Sequence, residues 1–182
     1  LRDILVITGL IAMCWDLHNF VIPLHGSKIG LSASKIGFIL GAFALATFGI
    51  RLLMPLLTKY MTEWQILIST LVCAAVCFFI IPFLKTYLFF IFIAFALGLG
   101  LGAAHPNIMT LVHSTAPVGR VAEALGLRLT IIHGSQVILP LIFGAFGTAL
   151  GTSSIFWIVS LLATGGIVLA VQKKKHLPNR TH

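Results

Sequence analysis

Hydrophobic residues dominate six stretches of the chain, and short polar connections separate these stretches from one another. They cover residues 4–24, 35–57, 64–84, 87–113, 121–150 and 154–172. Each has about the 20 residues that an α-helix needs to cross the hydrocarbon core of a bilayer. The pattern therefore predicts an all-α fold, a polytopic bundle of six transmembrane helices over residues 1–172, followed by a basic tail over residues 173–182.

The composition is typical of a membrane protein. Hydrophobic residues make up 59% of the chain and charged residues only 9%, whereas about a quarter of the residues in a soluble domain are charged. The net charge of +8 comes from basic residues that are dispersed between the hydrophobic runs. We therefore interpret these residues as determinants of membrane orientation and predict no binding to nucleic acid.

The basic residues are distributed unequally between the two sides of the predicted bundle. Nine lie on the side of the chain termini and three on the opposite side. Because loops rich in Lys and Arg stay in the cytoplasm, we predict a multi-pass protein of the inner membrane with both termini cytoplasmic. The nine are Arg2, Arg51, Lys59, Arg120, Arg128, Lys173, Lys174, Lys175 and Arg180, and the three are Lys28, Lys35 and Lys85.

An internal repeat relates the second and fifth spans. The 24 residues from Ser34, SKIGFILGAFALATFGIRLLMPLL, align without a gap to GRVAEALGLRLTIIHGSQVILPLI from Gly119, at a constant offset of 85 residues. Identical pairs include Gly41 with Gly126, Gly49 with Gly134, and Pro55 with Pro140. Since the offset covers three crossings, the second copy must run through the membrane in the opposite direction. This predicts the inverted three-plus-three repeat that secondary transporters use.

Three segments resemble the Major Facilitator Superfamily, and the resemblance covers the chain as one six-helix half. They are GLSASKIGFILGAFALATFGIR in the second span, FALGLGLGAAHPNIM in the fourth, and GRVAEALGLRLTIIHGSQVILPLIFGAFG in the fifth. In the last segment, Gly134, Pro140 and Gly144 are similar to the family's Gly, Pro, Gly pattern on a helix that slides past its partner. The resemblance implies a secondary active transporter that works by alternating access.

The connection after the second span departs from the family's loop pattern. PLLTKY, residues 55–60, keeps only Leu57 of the Gly-x-Leu-x-Asp-Arg run that is strong in amino-terminal halves of the family. The chain also begins with Leu1 rather than Met. We therefore expect a fragment, the carboxy-terminal half of a twelve-helix transporter, whose missing amino-terminal half is its partner.

Asp16, in WDLHNF, is the only acid well inside a predicted span. A charge near the bilayer centre costs about 2.5 to 3.5 kcal/mol on insertion scales, so the side chain must face protein or water. Asn19 shares the helix face of Asp16, and His18 lies on the adjoining face. We predict that Asp16 exchanges protons or pairs with a cation and that His18 or Asn19 binds solute. A purely structural hydrogen bond or ion pair is the alternative for Asp16.

The fourth and fifth spans carry further polar candidates. His105 and Asn107 flank Pro106, which can kink the helix, and Gly98 and Gly102 permit close helix packing. Because the first and fourth helices of each half line the central cavity in the family, Asp16, His18, Asn19, His105 and Asn107 could converge there. His105 could instead serve packing alone.

His133 and Gln136, in the fifth span, could line the cavity or bond to a neighbouring helix. Arg51 and Arg128 lie toward the cytoplasmic side, where we expect their side chains to reach for phosphate groups or cap a helix. Arg120 and Glu123 are expected to form a solvated surface pair of little energetic weight.

Three functions fit a six-span membrane protein. We favour secondary transport of a small solute, driven by protons or by exchange, with efflux as the preferred direction on family frequency. A six-span membrane enzyme is disfavoured because GLSA, HGSQ and HGSK all lack the Gly-x-Ser-Gly turn of an intramembrane serine protease. A channel or non-transporting scaffold remains the third. Cys14, Cys73 and Cys77 lack zinc-site spacing, and we expect no metal and no cofactor.

Overall fold

The computed structural model describes residues 1–84, 86–149 and 151–176. Within these ranges the chain forms six long helices and no strand. Their bounds are α1 Arg2–Lys28, α2 Ala33–Tyr60, α3 Glu63–Ile80, α4 Tyr87–Thr115, α5 Val121–Ala149 and α6 Thr152–His176. A short 3-10 turn, Ile81–Phe83, extends α3. Lys85 and residues 177–182 of the expected tail lie outside the described residues.

The six predicted spans coincide with the six helices, which are all long and apolar enough to cross a membrane within the described part of the chain. The all-α class is therefore confirmed. The helices extend beyond the predicted spans at most ends, and α6 continues to His176, so that the first residues assigned to the basic tail are helical.

Local sequence signals mark where the helices begin. Ser32 caps α2, because its hydroxyl accepts a hydrogen bond from the backbone N–H of Lys35, as Ser does at many helix starts. Thr62 and Gln65 form a reciprocal capping box at the start of α3. Gly30 and Gly119 take φ values of 81° and 80° in the connections before α2 and α5. Such positive φ angles favour glycine over other residues.

The helices associate in a pairing that is compatible with the predicted repeat. α2 packs most extensively on α4, and α1 packs on α5, which are the pairs that an exchange of the first three helices with the last three would interconvert. α3 packs on α6, a pair that the same exchange maps onto itself. Ser160 of α6 strengthens that contact by donating a hydrogen bond to the Ala75 carbonyl of α3, at 2.7 Å.

Three glycines of α4 allow two neighbouring helices, α2 and α3, to pack closely against it. Gly98 and Gly102 lie directly against the backbone of α2 at Phe43 and Thr47, and Gly100 lies against Cys73 of α3. Two threonines reinforce these contacts: Thr47 donates to the Gly98 carbonyl at 3.3 Å, and Thr70 donates to the Gly100 carbonyl at 2.9 Å. Small residues and interhelical hydrogen bonds are the usual means of helix association in membranes.

The outer faces of α2 and α5 have no partner helix among the described residues. Large apolar side chains such as Leu45, Leu52, Val137 and Leu141 are each more than half exposed. Six of the seven glycines on these helices have open space where a Cβ would lie, and only Gly147 has close neighbours there; the six are Gly37, Gly41, Gly49, Gly126, Gly134 and Gly144. Gly134 and Gly144 therefore do not serve helix packing within this bundle, unlike Gly98 and Gly102.

We expect the substitution Gly98→Ala to destabilise the protein. A methyl group there would collide with the Phe43 carbonyl oxygen and lie 2.8 Å from the Cβ of Ala46, so α2 and α4 must separate. Overpacking of this kind costs about 1–3 kcal/mol. The unfolding temperature of the purified protein in detergent micelles measures the loss.

Gly134→Ala is the matched control, because the same methyl group meets no atom within 4 Å. Its unfolding temperature should stay at that of the wild type. An equal loss in both variants would show that the α2–α4 contact is not the cause.

Candidate functional site

An aromatic cluster joins α1, α2 and α4 near the middle of the bundle. The Trp15 ring lies edge-on to Phe43, with centroids 5.0 Å apart, and 5.3 Å from the His105 ring. The His18 ring stacks on Phe43, with centroids 3.9 Å apart. Phe43 therefore contacts two side chains of α1, and Trp15 connects the cluster to α4.

An open groove of about 410 Å³ lies next to this cluster, between α1 and α2. Its walls are mostly aromatic and aliphatic, and Asn19, Thr47 and Arg51 supply the polar groups. The Asn19 side-chain amide donates to the Trp15 carbonyl of its own helix at 3.0 Å, which leaves the amide oxygen available. The residues lining the groove are Trp15, Asn19, Leu40, Phe43, Ala44, Thr47, Phe48 and Arg51.

Asp16 faces α5, where it accepts a hydrogen bond from Ser135. The Ser135 hydroxyl lies 3.1 Å from Asp16 Oδ2 and 2.7 Å from the carbonyl of Ile132, so one hydroxyl proton is shared between two acceptors. Asp16 is partly buried, and among the described residues no Lys, Arg or His lies within ion-pair distance of its carboxylate. This carboxylate is thus held by one neutral hydrogen bond.

Arg51 and Arg128 lie on α2 and α5, two helices that pack against α4, which carries His105. Arg51 of α2 is exposed and lines the groove. Arg128 of α5 is only 6% exposed, and its Nε has no hydrogen-bond partner among the described residues. The positive charges of both guanidinium groups act on the His105 ring. We expected both side chains to reach toward phosphate groups at the membrane surface. The exposed Arg51 fits this expectation better than the buried Arg128 does.

The other predicted site residues are not all brought together. Asn107 points away from the groove and donates to the backbone carbonyl of Glu63, at 2.6 Å, which joins α4 to the start of α3. His18 is fully buried, and neither of its ring nitrogens has a partner among the described residues. His133 and Gln136 are exposed on α5 and bond to each other at 3.1 Å.

The predicted surface pair of Arg120 and Glu123 forms, with 3.1 Å between Nε and Oε2 and both side chains 67% exposed. Lys173 pairs with Asp3 at 3.3 Å. Pairs as exposed as that of Arg120 and Glu123 contribute little to stability. The described residues contain no group of three His, Cys, Asp or Glu side chains that could hold a metal ion.

Sequence reasoning missed the groove walls and the partner of Asp16. Nothing in the sequence distinguishes Trp15 and Phe43 from the other aromatic residues of the spans, and only the packing of α1 on α2 brings them together. In the sequence, Ser135 stands out only within HGSQ, which lacks the protease pattern. A small hydroxyl residue in an apolar span is the one sequence signal, and a weak one, that could have indicated a hydrogen-bond partner for Asp16.

The fold and the site define a polytopic helical membrane protein in which a few polar groups surround a groove between helices. The sequence profile of the Major Facilitator Superfamily matches residues 4–181. The chain therefore belongs to the Major Facilitator Superfamily, which confirms the resemblance of its three segments, and it is a membrane transporter. A search of curated proteins gave no match. Membership of a family of transporters favours transport over the membrane-enzyme alternative.

We expect His18→Phe to leave the stability unchanged or to raise it. The substitution removes two buried ring nitrogens that have no partner among the described residues and keeps a ring to stack on Phe43. A buried polar group without a partner costs about 1–3 kcal/mol. Thermal unfolding in detergent measures the change.

His25→Phe is the contrasting variant. His25 is buried on the same helix, but its Nδ1 shares a 2.8 Å hydrogen bond with the Thr152 hydroxyl, so its replacement should lower the unfolding temperature. If His18→Phe is as destabilising as His25→Phe, His18 has a polar partner that this arrangement lacks.

Proposed function

We propose that the chain is the carboxy-terminal six-helix half of a secondary active transporter, which moves a small solute by alternating access. Two helices support this assignment. α2 and α5 expose apolar side chains and open glycine positions on faces that no described helix covers. An amino-terminal half packed against these faces would complete a central cavity around the groove, and the chain alone would be inactive.

We propose further that protons drive transport through Asp16, which is the single feature on which the coupling depends. Asp16 combines three properties of a proton carrier: it lies well inside α1, it is partly buried, and its contact with Ser135 is a neutral hydrogen bond. A carboxylate that lacks a cationic partner can take up a proton without breaking an ion pair. Asn19, His105, His133 and Gln136 remain candidates for solute contact.

The direction and the orientation belong to the same proposal. Efflux is the direction we favour, with an amphipathic solute, because the groove walls are largely aromatic and aliphatic. Both termini of the chain lie in the cytoplasm, on the side of the nine basic residues, and the protein resides in the inner membrane. A channel or scaffold with the same packing would show no coupled, saturable flux.

Asp16→Asn in the complete transporter should abolish transport driven by a pH gradient and leave solute exchange intact. Asparagine has the same shape and still accepts the Ser135 hydrogen bond, but it cannot carry a proton. Flux into reconstituted vesicles, with and without an imposed pH gradient, measures both activities. Size-exclusion behaviour and the unfolding temperature confirm that the variant is folded.

Glu123→Gln is the matched control, since it neutralises an exposed acid in the Arg120 pair and should keep gradient-driven flux. Unchanged gradient-driven flux in Asp16→Asn would refute proton coupling through this residue. Loss of exchange together with coupled flux would assign Asp16 to solute binding instead. Flux that never saturates would favour a channel.

Cysteine labelling in intact cells tests the proposed orientation. Ser34→Cys, at the start of α2, should react with a membrane-impermeant maleimide from outside, because that end lies on the outer side. Val118→Cys, in the fully exposed connection before α5, should react only after the cells are opened. The reverse pattern would place both termini outside.

A further inference from the structure

We infer that the solute is an organic anion with an aromatic or apolar body, whose anionic group binds between Arg51 and Arg128 beside His105. This inference rests on the proposed transport function and names the solute class that the groove would accept. It depends on two cationic side chains whose charge no acid of the described residues neutralises.

The packing of α2 on α4 places Arg51 at the level of His105. Gly98 lies between Phe43 and Ala46, and Gly102 lies between Thr47 and Ile50, so the two helices run in the same direction and in register. Arg51 follows Thr47 by about one helical turn, as Pro106 follows Gly102. Arg51 therefore emerges beside His105, at the end of the groove that it lines.

The ring contact of Trp15 with His105 brings α1 to the same level, and α5, which packs on both α1 and α4, contributes Arg128. Arg128 is 6% exposed, its Nε has no partner among the described residues, and its charge acts on His105 together with that of Arg51. Arg51 of α2 and Arg128 of α5 are thus two cationic side chains that act on the same residue of α4 within the membrane-spanning part of the fold.

No acid compensates these two charges in the described part of the chain. Of the four acids, Asp3 pairs with Lys173 and Glu123 with Arg120, Asp16 is bonded to Ser135, and Glu63 forms no ion pair with another described residue. Neither Arg51 nor Arg128 lies within ion-pair distance of a described carboxylate. Charged groups inside a membrane generally pair with an opposite charge or mark a solute pathway, and here the opposite charge is supplied from outside this bundle.

The chemistry of the groove selects the kind of anion. A guanidinium group presents several N–H donors in a plane and binds carboxylate or phosphate through paired hydrogen bonds. Trp15, Phe43 and Phe48 provide apolar surface next to these donors, which suits an aromatic or aliphatic body. A cationic solute would meet two like charges there, and a neutral one would leave both guanidinium groups unpaired.

Matched probes that differ only in charge test this inference on the complete purified transporter. Three carboxylates, benzoate, phenylacetate and indole-3-acetate, are each compared with the corresponding amide and amine. We expect at least one carboxylate to raise the unfolding temperature by about 2 °C or more at saturation, and its amide and amine to leave it unchanged. The comparison within the wild type does not depend on any variant.

Arg51→Gln and Arg128→Gln locate the binding. Each should weaken the apparent affinity for the active carboxylate by about tenfold or more. Arg51→Lys, which keeps the charge but loses the planar pair of donors, should weaken it less. Arg120→Gln is the control: it removes an exposed guanidinium with its own acid partner and should bind like the wild type.

Several results would overturn the inference. If no carboxylate stabilises the wild type, or if amides or amines stabilise it equally, the solute is not recognised as an anion. If both arginine variants lose stability without any probe while carboxylates have no effect, their counter-charge is an acid of the other half. In each of these cases coupled flux of a neutral or cationic solute would still support the proposed function, so the two proposals can fail separately.

Discussion

The contact of α2 with α4 at Gly98 and Gly102 determines the arrangement of the site. In lipid, backbone groups are satisfied within each helix and apolar side chains gain nothing by leaving the hydrocarbon. Close approach and interhelical hydrogen bonds must therefore decide which helices meet. Because Gly98 and Gly102 have no side chains, the backbone of α2 can approach α4 closely, and the Thr47 hydroxyl donates a hydrogen bond across the contact to the Gly98 carbonyl. This fixes Phe43 against Trp15 and His18, and it brings Arg51 beside His105.

The six helices differ in how much of their apolar segments they bury inside the bundle. α3 and α4 bury close to half of their apolar segments, whereas α5 buries only 6% of its own. Yet α5 contributes Ser135, which bonds to Asp16, and the buried Arg128, while Gly126, Gly134 and Gly144 and apolar side chains such as Val137 and Leu141 lie on its uncovered face. One helix therefore connects the polar interior to an uncovered surface.

The sequence predicts the six helices because hydrophobic length is a strong local signal. It also predicts Asp16 as a special residue, because a charge inside an apolar span is costly wherever the span packs. The partners of these residues are harder to predict, since they depend on helix pairing between distant segments. Ser135 lies 119 residues from Asp16, and Asn107 bonds to a backbone carbonyl, which carries no sequence signature at all. The burial of Arg128 likewise depends on how α5 packs against the other helices, not on its neighbours in sequence.

The Ser135 hydroxyl, which links α5 to α1, has two possible acceptors for its one proton. It already reaches the Ile132 carbonyl of its own helix as well as Asp16. If the carboxylate moves away, the hydroxyl keeps an acceptor, and no buried donor is left unsatisfied. Separation of the two helices here therefore costs nothing on the Ser135 side, whereas the Asp16 carboxylate loses its hydrogen bond and needs a proton or water in its place. The hydrogen bond between Asp16 and Ser135 can therefore break while the Ser135 hydroxyl stays bonded to the Ile132 carbonyl.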